Sequence, residues 1–209
     1  MLKEKPNKPQ ALSGFEHINR YWDPHIQWWA AKILPGEVYV TQNQNELICT
    51  TLGSCVSACI RDPINGIGGM NHFMLPCTGN EPSDCWQGFG NRYGNYAMET
   101  LINELMKAGA DKNNFEMKVC GGGRIIQGMS DVGKQNSEFI LEYAELENIK
   151  VICSDLGDIY PRKVMFFPQS GKLMIKHIHE LHNDTIQHRE QSYIDTIKSY
   201  DKTNQVELF

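Results

Sequence analysis

A cysteine and a histidine lie at the two ends of a segment whose pattern predicts a β-hairpin. Cys55 precedes an alternating run of small and β-branched residues, and His72 lies in a second strand-like run. Between these runs, residues 62–66 (Asp-Pro-Ile-Asn-Gly) are turn formers that include an Asn-Gly pair. A thiol within reach of an imidazole is the minimum machinery of a cysteine nucleophile. The segment therefore predicts a candidate site for covalent catalysis.

The position of the turn decides which residues of this hairpin face each other. A turn centred between Arg61 and Gly66 pairs Cys55 directly with His72, and directly opposed residues have Cβ atoms roughly 4.5–5.5 Å apart. A register shift of one residue would send the two side chains to opposite faces. The alternative interpretation is a buried structural cysteine beside a histidine whose partner is the backbone.

Composition and charge indicate one globular domain without a general affinity for nucleic acid. The chain has 209 residues and a formal net charge of −5, so it is large enough to bury a core, and phosphate binding is disfavoured. The N-terminal residues carry charges without a following apolar region, and no stretch is long enough to span a membrane. We therefore expect a cytoplasmic protein with no membrane insertion.

Neither a metal nor a cofactor is predicted. The chain has seven cysteines, an odd number without a repeated CxxC, which argues against a disulfide framework and a zinc ribbon. His177, His179 and His182, with His188 beyond, could chelate a metal, but histidines also cluster in solvated tails by chance. The glycines at 121–123 lack the Lys-Ser/Thr ending of a nucleotide-binding loop.

Periodicity predicts an α+β fold: a single domain of mostly antiparallel or mixed β-sheet layers flanked by two main helices. The helices are predicted at about 97–108 and 133–147. Besides the hairpin, strands are predicted at 37–41, 46–52, 117–120, 150–154, 163–167 and 172–178.

The remaining segments are predicted to be loops and terminal extensions. Residues 77–94 are expected to form a loop whose aromatic residues Trp86, Phe89 and Tyr93 lie across a surface. Residues 1–13 are expected to be a flexible lead, 14–178 the folded domain, and 179–209 a polar C-terminal extension with little core signal.

Several motifs resemble the CheD family of chemoreceptor glutamine deamidases. They lie at 52–56 (LGSCV), 61–63 (RDP), 68–76 (GGMNHFMLP), 92–98 (RYGNYAM), 118–123 (KVCGGG), 161–164 (PRKV) and 171–173 (GKL), so the resemblance covers about 14–178. It implies an enzyme that converts specific glutamines of methyl-accepting chemotaxis receptors to glutamates. It also implies a papain-like Cys-His site on a β-hairpin and a deamidase fold like that of the CNF toxins.

The resemblance assigns Cys55 as the nucleophile, His72 as the general acid and base, and a threonine as the third member. The family's threonine falls on Cys49 here, which leaves its neighbours Thr50 and Thr51 as candidates. In a strand, Thr51 would share the face of Cys49, whereas Thr50 would need a local irregularity. Both threonines therefore remain candidates at this point.

Small residues near the nucleophile are expected to admit the substrate and its oxyanion. The Cys55 backbone N–H is a candidate oxyanion donor, and Gly53, Ser54 and Gly69 are expected to permit close approach. The loop 77–94 and the glycines at 121–123 are plausible walls of a groove for the receptor helix; sealing of the core by the loop's aromatic residues is the alternative.

Other functions use the same atoms. A non-catalytic or dual-role adaptor that regulates a CheC-type phosphatase is the main competing hypothesis, and such a phosphatase is a possible partner beside the receptors. A general cysteine protease, a small-molecule glutaminase and a side activity on receptor methyl esters also remain open.

Overall fold

Ten strands and three long helices make up the described part of the chain. The computed structural model describes residues 5–75, 89–125, 132–179 and 184–203. The strands are β1 (Asn19–Asp23), β2 (Trp28–Lys32), β3 (Val38–Thr41), β4 (Glu46–Leu52), β5 (Val56–Asp62), β6 (Ile67–Asn71), β7 (Glu116–Gly121), β8 (Lys150–Leu156), β9 (Arg162–Phe167) and β10 (Lys172–His177). The helices are α1 (Phe89–Lys107), α2 (Val132–Leu146) and α3 (Asp184–Thr203), with a 3-10 turn at Lys112–Asn114.

The strands form two five-stranded sheets, in the orders β1-β2-β4-β9-β10 and β3-β6-β5-β7-β8. Each sheet is mixed: β2 pairs with β4 and β7 with β8 in parallel, and the other pairs are antiparallel. The predicted α+β fold with mixed sheets is confirmed. The prediction of two main helices is wrong, because α3 is a third.

The first helix begins earlier than its apolar pattern indicated. Met98, Leu101 and Leu105 are fully buried, as the helical spacing predicts. However, the helix begins at Phe89, so the last residues of the predicted loop 77–94 are helical. A Cβ on Gly94 would lie 2.5 Å from the Phe139 ring. This close packing against α2 overrides the low helix propensity of glycine. Residues 76–88, including Trp86, lie outside the described residues.

The C-terminal helix packs onto the body of the protein, contrary to the expectation of little core signal. Ile186, Ile194 and Ile197 of α3 are 7%, 3% and 3% exposed. These positions recur at helical spacing and form one apolar stripe. The predicted domain boundaries themselves remain predictions. No helix in the described ranges is long and apolar enough to cross a membrane.

Candidate active site

The hairpin that carries the candidate site has a different register from the predicted one. Asp62 pairs with Ile67 across the turn, and an isolated bridge joins Val56 to Phe73. Continuing this register places Cys55 opposite Met74, two residues beyond His72. The direct pairing of Cys55 with His72 was therefore wrong, although a shift of two residues keeps both side chains on one face as diagonal neighbours.

The turn chemistry explains the shift. The Asp62 carboxylate accepts hydrogen bonds from the backbone N–H groups of Ile64 (2.9 Å) and Asn65 (3.1 Å). Gly66 closes the turn with a φ of 66° and donates to the Asp62 carbonyl at 3.0 Å. The turn is thus centred between Ile64 and Asn65, one residue later than expected. When the centre of a hairpin moves by one residue, the partner of each strand residue changes by two positions.

Thr50 fixes the orientation and the tautomer of the candidate histidine. The Thr50 Oγ1 lies 2.8 Å from His72 Nδ1 and donates to the Ile33 carbonyl at 2.8 Å. Since the hydroxyl has one proton and gives it to Ile33, the Nδ1–H of His72 must be the donor to Thr50. Nε2 is then unprotonated, and it is buried without a partner among the described residues. Nε2 is therefore the ring nitrogen through which His72 can exchange a proton.

The structure separates the two threonines. Among the described residues, Thr51 contacts the site region through its backbone carbonyl, which accepts a hydrogen bond from Arg189 at 3.1 Å. Cys49 lies on the other face of β4, within 3.7 Å of the Tyr21 hydroxyl. The β4–β9 pairing is regular through Thr50, so the irregularity expected for Thr50 is absent from this pairing. The Thr50 side chain lies on the face of β4 that packs toward the second sheet, next to His72.

The glycines at 121–123, at the end of β7 and directly after it, pack against the backbone of the candidate nucleophile. Gly122 N–H donates to the Cys55 carbonyl, and Gly123 N–H donates to the Gly53 carbonyl, each at 2.8 Å. A Cβ on Gly121 would lie 2.2 Å from the Cys55 carbonyl oxygen. The Gly run is therefore required by close backbone contact beneath the nucleophile turn, defined here as residues 53–55.

Asn136 of α2, which was not among the residues predicted from the sequence, also holds the nucleophile turn. Its Nδ2 donates to the Ser54 carbonyl and its Oδ1 accepts from Leu75 N–H, both at 2.8 Å. The side chain is fully buried. It thus ties the turn that precedes β5 to the chain that follows His72. A polar residue on the buried stripe of a predicted helix is the signal that could have found it.

A carboxylate from α3 is bound to the nucleophile turn. Glu190 Oε1 accepts from the N–H groups of Gly53 (3.0 Å) and Cys55 (3.3 Å). Its Oε2 accepts from the Ser54 N–H (3.0 Å) and the Ser54 Oγ (2.6 Å). Three successive backbone N–H groups converging on one anion form an anion-binding nest. Glu190 is 1% exposed. It was not predicted as a site residue, because it lies in the C-terminal segment whose sequence is mostly polar.

Burial keeps the candidate pair electrically neutral. Cys55 is 0% exposed and His72 is 1% exposed. Burial, followed by the Glu190 carboxylate, raises the pKa of the Cys55 thiol well above its usual value. Burial, followed by the Arg189 guanidinium, lowers the pKa of His72 to about 3. In this arrangement the thiol keeps its proton, and the imidazole is uncharged at neutral pH.

A tyrosine pair closes the site on the side of α1. The hydroxyls of Tyr93 on α1 and Tyr193 on α3 are hydrogen-bonded to each other. A Cβ on Gly36 would lie 3.1 Å from the Tyr193 ring, and Gly36 N–H donates to the His72 carbonyl at 2.7 Å. Tyr193 therefore packs directly on the segment that pairs with the candidate histidine.

Two predicted features lie apart from this geometry. A Cβ on Gly69 would meet Val40 at 2.7 Å and Leu101 at 2.9 Å, so this glycine serves the packing of β6 under α1. His177 Nε2 lies 3.2 Å from an Asp155 carboxylate oxygen. Within the described ranges, no group of three or more His, Cys, Asp or Glu residues is placed to hold a metal ion. His182 lies outside those ranges.

Comparisons with known proteins identify the family of this chain. The family model for CheD, chemotactic sensory transduction, matches residues 74–177. A protein of Halorhodospira halophila named a probable chemoreceptor glutamine deamidase CheD is 51% identical over 96% of this chain and 94% of its own length. A protein of Hahella chejuensis with the same name is 47% identical over 99% of this chain and 98% of its own length. The chain belongs to the CheD family.

The similarity to CheD relatives extends beyond the segment matched by the family model. That segment begins after His72, whereas the match to the Hahella chejuensis CheD covers 99% of the chain. Among solved structures, a DUF152 protein of Neisseria meningitidis matches with a TM-score of 0.39 and 7% identity over 58% of this chain and 53% of its own. This match is too weak to show a shared fold or function.

Proposed function

We propose that this CheD protein is a chemoreceptor glutamine deamidase in which Cys55 is the nucleophile and His72 the general acid and base. Its substrates are glutamine side chains in the cytoplasmic helical bundle of methyl-accepting chemotaxis receptors. The names of the relatives support the reaction. The observation that carries the proposal for the site is the anion nest at residues 53–55, because it includes the backbone N–H of the nucleophile itself.

The first half of the reaction forms a thioester and releases ammonia. His72 Nε2 takes the Cys55 proton, and the thiolate attacks the glutamine Cδ. The carbonyl oxygen becomes an oxyanion, which the N–H groups of the nest stabilise. As the tetrahedral intermediate collapses, the C–N bond breaks and His72 gives its proton to the departing nitrogen.

The second half of the reaction hydrolyses the thioester. Neutral His72 takes a proton from a water molecule, which attacks the thioester carbonyl carbon, and the same nest holds the second oxyanion. The C–S bond then breaks, and the Cys55 thiolate recovers its proton from His72. One water is consumed, one ammonia is released, and the product is a glutamate side chain. Thr50 keeps Nδ1 protonated throughout, so that Nε2 is the nitrogen that exchanges protons.

The finer description of the fold belongs to the same proposal. A thiol and an imidazole on one face of a hairpin, with a hydroxyl behind the imidazole, correspond in their roles to the papain-like arrangement. We extend the proposal to a deamidase fold like that of the CNF toxins. The CheC-type phosphatase remains a proposed partner.

Ammonia release distinguishes the proposed reaction from its rivals. The wild-type protein is incubated with a receptor cytoplasmic fragment, with free glutamine and with an unrelated glutamine-containing peptide. We expect ammonia from the receptor fragment alone. Equal turnover of free glutamine would favour a small-molecule glutaminase. Ammonia from none of the three, with retained binding to a CheC-type phosphatase, would favour the adaptor.

A further inference from the structure

The C-terminal helix presents to Cys55 the same side chain that the proposed reaction produces. Glu190 reaches the nest at residues 53–55 with both carboxylate oxygens. Deamidation of a glutamine on a receptor helix would leave a glutamate on a helix at this same place. We infer that α3 occupies the substrate-helix site of this protein, with Glu190 as a product mimic that holds the enzyme closed. This inference rests on the proposed function.

The contacts of Glu190 are those expected of the carboxylate product, with one oxygen where the carbonyl oxygen of a substrate would lie. Oε1 lies against the N–H groups of Gly53 and Cys55, which is where a carbonyl oxygen must lie to be polarised. Oε2 accepts from the Ser54 N–H at 3.0 Å and from the Ser54 Oγ at 2.6 Å, as a product carboxylate oxygen would. The Ser54 hydroxyl could in turn accept a hydrogen bond from the NH₂ of a substrate carboxamide.

The close approach of Glu190 depends on a glycine. A Cβ on Gly53 would lie 2.8 Å from Glu190 Oε1 and 2.1 Å from the Ile125 side chain. A side chain at this position would therefore collide with the carboxylate in the nest. Gly53 was expected to admit a substrate. In this structure the group that it admits is the Glu190 side chain of α3.

The face of α3 that covers the site has the form of a substrate helix. Ile186, Ile194 and Ile197 are buried, and Glu190 lies on the same stripe, midway between the first two. The opposite face is polar and exposed, with Gln191, Ser192, Asp195 and Thr196. One amphipathic helix with a carboxylate at the centre of its apolar face therefore fills the surface around Cys55.

Closure by α3 also sets the protonation of the reacting groups. Burial and, after it, the Glu190 carboxylate raise the pKa of the Cys55 thiol, so the thiol keeps its proton. A receptor helix cannot reach a nucleophile that is 0% exposed, so α3 must leave before the substrate binds. Elements that cover a binding site are drawn from the parts of a fold that open locally at a low free-energy cost. The receptor helix and α3 therefore compete for one site, and the competition limits activity toward receptors.

The Glu190→Gln variant tests the inference because it converts the mimic into a substrate. With the introduced carboxamide in the nest, the Cys55 thiolate attacks its carbon, His72 protonates the departing ammonia, and water restores Glu190. We expect mass spectrometry of purified full-length protein to find glutamate at position 190, and glutamine there in the Cys55→Ala/Glu190→Gln protein. Gln191, which is exposed beside it on α3, is the internal control and should remain unchanged.

Two further readouts keep the inference separate from the proposed function. Glu190→Ala should speed alkylation of Cys55, mapped by peptide, by about 10- to 100-fold, the range that hydrogen bonds to a charged group supply. Glu142→Gln, an exposed glutamate on α2, is the matched control and should leave that rate unchanged. If the Glu190→Gln protein deamidates a receptor fragment while its introduced glutamine persists, α3 does not occupy the substrate site. Unchanged alkylation of Cys55 in Glu190→Ala would overturn the closure by Glu190, even if no receptor is deamidated.

Discussion

The Thr50 hydroxyl lies 2.8 Å from Nδ1 of His72 and gives its own proton to the Ile33 carbonyl 2.8 Å away. This pair of hydrogen bonds makes Thr50 an acceptor toward the imidazole and leaves Nε2 without a proton. The threonine thus selects the tautomer that can take a proton from a thiol. It acts through His72, as a positioning residue.

Replacement of Thr50 should impair proton transfer more than folding. We expect Thr50→Ala to lower kcat toward a receptor fragment by about 100-fold, at the low end of general acid–base contributions. Thr50→Ser keeps the hydroxyl and should recover most of the rate. The pH profile of kcat should change only in Thr50→Ala, because only there is the tautomer unconstrained. Equal losses in the two variants would argue for a packing role.

The buried neutral His72 should make the fold sensitive to acid. Its pKa is about 3 in the folded protein and about 6.5 when unfolded. Between these values the unfolded chain binds the extra proton, so the free energy of unfolding falls as pH is lowered through this window. The contribution of His72 to stability is fully present at a pH above the pKa of the unfolded state, about 6.5. One group contributes a slope of at most about 1.4 kcal/mol per pH unit.

Urea unfolding at about pH 7 and about pH 5 measures this contribution. Carboxylates also titrate toward the acid end, so the His72→Gln variant serves as the reference. We expect the wild type to lose more stability than the variant between the two conditions. An identical loss in both proteins would show that His72 is not buried in its neutral form.

The nucleophile turn should be sensitive to the glycine beneath it. Gly121 has a φ of 119°, and an added Cβ would lie 2.2 Å from the Cys55 carbonyl oxygen; Gly157 has a φ of 80° and nothing within 4 Å of such a Cβ. Both alanine variants carry a strained backbone, but only Gly121→Ala should displace Cys55. Displacing a reacting group by about 1 Å can cost 10²-fold in rate.

Thermal unfolding and receptor deamidation compare the two variants. Gly157→Ala should lower Tm modestly and keep wild-type kcat. Gly121→Ala should lower Tm further and lose most of its activity. If the two variants match in both measurements, the contact between the Gly run and the nucleophile turn has no functional weight.

The strands that carry the site were predicted correctly from the sequence, but the register in which they pair was not. The alternating runs around Cys55 and His72 do form antiparallel strands β5 and β6, because their residues suit a buried pleated sheet. The pairing was displaced because Asp62 binds two backbone N–H groups inside the turn. That local choice among turn types is weakly encoded, and a change of one residue at the turn moves every pair across the hairpin.

Strand periodicity could not predict the positions of Thr50 and Glu190 in the site, for a different reason. Which face of β4 meets His72 depends on how the two sheets stack, and this is a property of the whole fold. Glu190 is 135 residues from Cys55 in sequence, and its polar neighbours obscure the isoleucines that flank it. The i, i+4 spacing of Ile186 and Glu190, extended to Ile194, was the available signal.

Mapping of deamidated glutamines in a receptor cytoplasmic fragment tests the central claim most directly. The fragment is incubated with wild type, with Cys55→Ala and with Cys153→Ala, in which the replaced cysteine is exposed. The account predicts Gln-to-Glu mass gains at defined sites with wild type and with Cys153→Ala, and none with Cys55→Ala. The same gains from Cys55→Ala would contradict it.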